Sequence, residues 1–116
     1  MTGAAKSAAD YAEGDYRRND PRLQAGNFEA NLRIARQVQQ LAERKRATPS
    51  QVALAWLLAK GEDVVPIPGT KRRTYLEENV AAAHLQLSPA ELAELDALGS
   101  STGPRYAPQM MAQIDR

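Results

Sequence analysis

Gly69-Thr70-Lys71-Arg72-Arg73 is the stretch of this 116-residue chain best equipped for chemistry. A glycine, a hydroxyl and three consecutive cations stand between an apolar run, residues 64–68, and a helical pattern over residues 72–82. A strand that feeds a basic helix start suits an anion. Amide N–H groups point outward there, and the helix dipole favours negative charge. Phosphate is the group such a grip fits best. A solvated helix start is the plainer reading, because charge runs usually face water.

Other candidate chemistry is sparse. There are no cysteines, which excludes disulfides, thiolate metal sites and cysteine nucleophiles and fits a cytoplasmic protein. The only histidine, His84, has no second histidine or cysteine at metal-ligand spacing, so it reads as a surface or helix-end residue. Glu77 and Glu78 are neighbours on a helix and point in different directions, so they form no acid/base pair. Arg44-Lys45-Arg46 is a second basic run, yet the formal net charge is only +1. That balance argues against a general polyanion binder, and so against a nucleic-acid partner. Arg17, Arg18 and Arg22 could touch a ligand or face water; the pattern alone leaves both open.

The elements that must hold these residues are mostly helices. Hydrophobic residues make up 43% and charged residues 25% of the chain, ordinary values for a soluble globular protein. No run approaches a membrane span, and the first residues carry no apolar leader segment. Residues 1–26 are polar, punctuated by glycine and proline, and read as a loop. Asn27 reads as the N-cap of a helix whose stripe is Phe28, Leu32, Ala35, Val38, Leu41 and Ala42. Thr48-Pro49-Ser50-Gln51 is a capping box with proline at the first helical position. The helix behind it is apolar nearly all round, which predicts burial on most sides, with Trp56 in the core. Together these make a helix pair over 27–60. Residues 64–68 read as one short parallel strand, imperfect because Pro66 lacks a ladder donor. A third helix over 72–82 carries Leu76, Val80 and Ala83 on one side. Ser88-Pro89-Ala90-Glu91 caps a fourth over 89–98, and residues 100–116 read as a loose tail. One strand is not a sheet, so this is α/β material lacking nearly all of its β partners.

The whole run resembles one family in order. Residues 67–82, Ile67-Pro68-Gly69-Thr70-Lys71-Arg72-Arg73-Thr74-Tyr75-Leu76-Glu77-Glu78-Asn79-Val80-Ala81-Ala82, resemble the cofactor-binding signature of the aldo-keto reductases, in the branch with Gly-Thr where others carry Lys-Ser. Residues 48–58 resemble that family's helix before the last barrel strand. Asp15-Tyr16-Arg17-Arg18-Asn19-Asp20-Pro21-Arg22 and Asn27-Phe28 resemble its long loop after strand seven, and residues 87–92 its terminal extra helix. The resemblance implies a fold class: the C-terminal fragment of a (β/α)8 TIM barrel, mostly helical, with strand eight at 64–68 as about its one parallel strand. It also implies an oxidoreductase that reduces aldehydes and ketones with NADP(H), with a nicotinamide cofactor and a small carbonyl substrate as partners.

The resemblance carries over part of a site. Gly69 and Thr70 would meet the adenosine 2′-phosphate, Lys71 and Arg72 would supply charge, and Glu78 and Asn79 would face the adenine. Tyr75 stands where many members have an arginine, so stacking is kept and a charge is lost. The family's catalytic tyrosine, lysine, aspartate and histidine come from earlier strands, and no residue here matches them. The expectation is therefore no catalytic residue, no metal, NADP(H) bound only in the complete barrel, and an inactive chain in isolation. Two alternatives stand beside it: a small helical binding module, and a segment that pairs with a separate N-terminal barrel portion. Unpaired apolar edges at 64–67 also predict poor solubility or self-association.

Overall fold

Two polar-capped helices and a third that crosses them build what core this chain has. The computed structural model describes residues 3–114. Helix α1, Asn27–Lys45, is the longest element. Its apolar stripe buries Ala35, Val38, Leu41 and Ala42. Its start is set by Gly26, at a φ of 83° that favours glycine, rather than by a side-chain cap from Asn27. Its end is an αL turn at Arg46, φ 52°, where Arg46 N–H donates to Glu43 O and Ala47 N–H to Ala42 O. That is the hydrogen-bond pattern of a Schellman motif with arginine where glycine is usual.

Helix α2, Pro49–Leu58, begins at the capping box read from the sequence. Thr48 Oγ1 accepts from Gln51 N–H at 3.2 Å, and Gln51 Oε1 accepts from Thr48 N–H at 3.0 Å. Helix α3 is Arg73–Ala81, followed by a 3-10 turn at Ala82–His84. Helix α4, Pro89–Asp96, has the second capping box, with Ser88 and Glu91 bonded reciprocally. Helix α5, Pro108–Ile114, follows. The core cluster is Val38, Leu41 and Ala42 from α1, Val52 from α2 and Leu95 from α4. Arg44–Glu94 at 2.7 Å and Lys45–Glu91 at 3.1 Å tie α1 to α4 along its rim.

Several expectations change. Among the described residues there is no β-strand; residues 64–68 take no regular secondary structure. The reason is physical: no neighbouring strand stands beside them, and Pro66 and Pro68 lack the donor N–H. Val65 is 77% exposed and Ile67 93%. The inner face of α3 is also uncovered, with Leu76 and Val80 more than half exposed and Ala83 exposed. Helix α2 buries only Val52 and Ala55, and Trp56 packs against the core from its edge. The Trp56 indole N–H donates to Asp96 Oδ1 at 2.6 Å, while Lys60 covers its ring at 4.5 Å and pairs with Asp96.

The first segment is a chain of 3-10 turns rather than plain loop: Ala8–Asp10, Tyr16–Asn19 and Pro21–Leu23. Asp15 and Asp20 each cap the turn that follows. The start of the tail is fastened at Thr102 and Gly103. Asn31 Nδ2 donates to Thr102 O at 2.9 Å, and Asn31 Oδ1 accepts from Thr102 N–H at 2.7 Å. Gly103 fits beneath Pro21, where an added Cβ would lie 3.1 Å from Pro21 O.

Candidate anion-binding site

The irregular segment after Pro66 leads through Gly69 and Thr70 to the start of α3. Thr70 Oγ1 accepts from Arg72 N–H at 3.1 Å and donates to Arg72 O at 3.2 Å. This local turn sets Arg72 at the N-cap in an extended conformation, with no side chain capping α3. Its first-turn amides are therefore open to an external acceptor. Gly69, Thr70, Lys71, Arg72 and Tyr75 together line an open concavity of about 590 Å³. No atom stands within 4 Å of where a Cβ on Gly69 would lie, so the backbone is free to be approached.

Electrostatics favour an anion. Lys71 and Arg72 form no ion pair among the described residues, while Arg73 is occupied by Glu77 at 2.9 Å. The Arg72 guanidinium lies 5.7 Å from the Tyr75 ring centroid. Charge and ring face thus come from two side chains standing together. An anion with an attached flat ring suits that pair.

Glu78 and Asn79 stand apart from this concavity. Both are half-buried on α3. Glu78 Oε1 accepts from Thr48 Oγ1 at 2.8 Å, and its backbone carbonyl accepts from Gln51 Nε2 at 3.0 Å. The α2 cap therefore fixes the angle of α3 through Glu78. No signal in the sequence links Thr48 to Glu78, because the contact spans thirty residues and is made only in three dimensions.

The loop arginines are engaged structurally. Arg17 forks onto Asp15 at 2.6 Å and lies 4.3 Å from the Tyr11 ring. This hydrogen-bonded pair holds the Asp15 pKa down at about 2 and raises that of Arg17. Arg18 donates to Tyr11 O at 3.0 Å, and Arg22 Nε to Gly103 O at 3.4 Å. His84 is exposed at the end of its 3-10 turn. Among the described residues no three histidines or carboxylates converge as a metal site would require, and no helix is long and apolar enough to cross a membrane.

Comparison with known proteins gives this geometry a context. The sequence profile described as the Aldo/keto reductase family matches residues 2–100. The chain is 47% identical to the Schizosaccharomyces pombe aldo-keto reductase yakc, whose name carries NADP(+), over 98% of its own length and 34% of that protein. It is 42% identical to the Strobilurus tenacellus aldo-keto reductase str7, over 88% of its length and 30% of that protein. It is 44% identical to a probable aldo-keto reductase of Glycine max, over 74% and 26%. The chain thus spans about a third or less of each of these relatives.

Proposed function

Because this chain belongs to the aldo/keto reductase family, we propose that it supplies the last third of an NADP(H)-dependent carbonyl reductase and binds the adenosine 2′-phosphate. The observation that carries the reading is the concavity at the start of α3. There Gly69, Thr70, Lys71, Arg72 and Tyr75 converge beside uncapped helix amides. These residues fit the group: two cations without carboxylate partners for the phosphate, and a tyrosine ring for the base.

When bound, the cofactor would supply a hydride for reduction of an aldehyde or ketone. This chain's own share is to hold and orient. Lys71 and Arg72 take the phosphate charge, and Thr70 keeps the turn that presents the amides. Arg72 over Tyr75 divides between two side chains the stacking and charge that one arginine gives elsewhere in the family. Asn79 and the outer oxygen of Glu78 would reach the adenine from the same helix. The catalytic groups lie on barrel strands outside the sequence given, so the isolated chain is inactive and works as part of a cytoplasmic barrel. The exposed Val65, Ile67, Leu76 and Val80 support this, since they are the surfaces a neighbouring strand and helix would cover. A separately made N-terminal barrel segment would serve as that neighbour equally well. A free helical binding module is disfavoured by the same exposed surface.

The test is a chimera that joins residues 1–116 to the preceding two-thirds of the S. pombe relative. The chimera should reduce an aldehyde with NADPH, and the chain alone should not. Charge-assisted hydrogen bonds contribute about 1.5–3 kcal/mol, so K71E/R72E should raise KM for NADPH by roughly tenfold or more. KM for NADH should barely move. Equal effects on both cofactors would refute the 2′-phosphate assignment, and turnover by the chain alone would refute its inactivity.

A further inference from the structure

A second cavity, of about 330 Å³, lies where the 3-10 turns of the first segment meet the start of α5. Its walls include Tyr16, Pro21, Tyr106 and Met110, and two arginines, Arg22 and Arg105, share the lining. It involves none of residues 69–79 and stands independently of the cofactor reading.

Three features define what it would hold. The first is charge. Neither Arg22 nor Arg105 pairs with a carboxylate among the described residues. Asp20 also lines the cavity; its Oδ1 accepts from Arg22 N–H at 2.9 Å and caps the turn at Pro21–Leu23, and its charge offsets one of the two arginines, which leaves the lining net positive. The second is ring surface. The Arg105 guanidinium lies 5.4 Å from the Tyr106 centroid, and Tyr16 and the Met110 thioether add faces that suit an aromatic ring. The third is size. The volume is at the lower end for small-molecule sites, enough for one ring with a short acidic arm and too small for a dinucleotide.

Hydrogen bonds hold the approach to the cavity. Arg22 Nε donates to Gly103 O, Asn27 Nδ2 donates to Pro21 O, and Asn31 binds Thr102 on both its amide atoms. These bonds fasten the chain at Thr102 and Gly103, just before the second wall at 105–110, to the first wall and to α1. We propose that this cavity binds a small aromatic carboxylate, its acid group on the Arg22 and Arg105 guanidinia and its ring against Tyr106 and Met110.

Equilibrium dialysis of the full 116-residue chain with radiolabelled benzoate tests this, with benzyl alcohol and acetate as competitors. Benzoate should bind saturably at one site per chain. Benzyl alcohol lacks the charge and acetate lacks the ring, so each should compete at least tenfold more weakly than unlabelled benzoate. Arg105→Gln should weaken benzoate at least tenfold with an unchanged circular dichroism spectrum, and Arg105→Lys should lie between. Tyr106→Leu should weaken benzoate while leaving acetate unaffected. Absence of saturable binding overturns the proposal. So does equal competition by either control, or benzoate binding that Arg105→Gln leaves intact.

Discussion

Charge placement at single residues decides how this chain responds to acid. Asp15, Glu91 and Asp96 all titrate below their ordinary values in the folded chain. For Asp15 the cause is the Arg17 side chain first and the Arg17 backbone N–H second. For Glu91 it is mainly the Ser88 backbone N–H, with Lys45 behind it. For Asp96 it is Lys60 and then the Trp56 indole. Each depressed carboxylate contributes stability above its unfolded value and loses it as pH falls through the folded one. The ordinary values are 3.8 for Asp15 and Asp96 and 4.5 for Glu91. Stability should therefore begin to fall below about pH 5 and continue falling toward about pH 2. Urea unfolding midpoints across that range check this, and a midpoint that is flat or rises on acidification would contradict it. Asp15→Asn should flatten the acid end of the curve, because Asp15 titrates at about 2. The basic run at Lys71-Arg72-Arg73 was visible in the sequence. Its division was not, since only the folded helix shows Arg73 spent on Glu77 and Arg72 turned over Tyr75.

Among the elements, caps carried the clearest sequence signal and also the least expected contact. Thr48 closes the capping box of α2 and donates to Glu78 on α3, so one hydroxyl both starts a helix and orients the helix that bears the candidate anion site. Loss of an N-cap costs about 1 kcal/mol, and loss of the bond to the Glu78 carboxylate adds a comparable amount. Thr48→Ala should thus destabilise the chain by about 1–2 kcal/mol, while Thr48→Ser, which keeps the hydroxyl, should cost far less. Urea melts of the two variants decide it; an alanine variant indistinguishable from the serine one would remove Thr48 from this role. Both capping boxes could be read directly because their partners lie three residues apart. The α1 ends could not: the start depends on a positive-φ glycine, and the end on Arg46 adopting a conformation that sequence preference assigns to glycine. The fastening of the tail at Thr102 was hidden for a similar reason. Proline and glycine suggest looseness, whereas the Asn31–Thr102 clamp spans seventy-one residues and leaves no local trace.

At the scale of the whole molecule, the chain is larger than its core can organise. Its radius of gyration is 15.6 Å, against roughly 13 Å for a self-contained domain of this length. Among the described residues four of the eight buried apolar side chains are alanines, so the interior is thin as well as small. The apolar side of α3 and the apolar residues at 64–67 are exposed. Periodicity reports which face seeks cover and cannot report whether the covering element lies within the same 116 residues. That is why the helices were legible and the strand was not: a strand exists only with a partner. The exposed Val65, Ile67, Leu76 and Val80 offer apolar surface to a second copy. The chain alone should therefore self-associate, with sedimentation coefficients rising between about 5 and 200 μM, and V65K/I67K should lower that association by placing charge on that surface. The pair of lysines should leave α1, α2 and α4 intact, since neither position touches their core cluster. A wild-type monomer with a sharp, concentration-independent melt would show that the small core is sufficient, and that the exposed face asks for no partner.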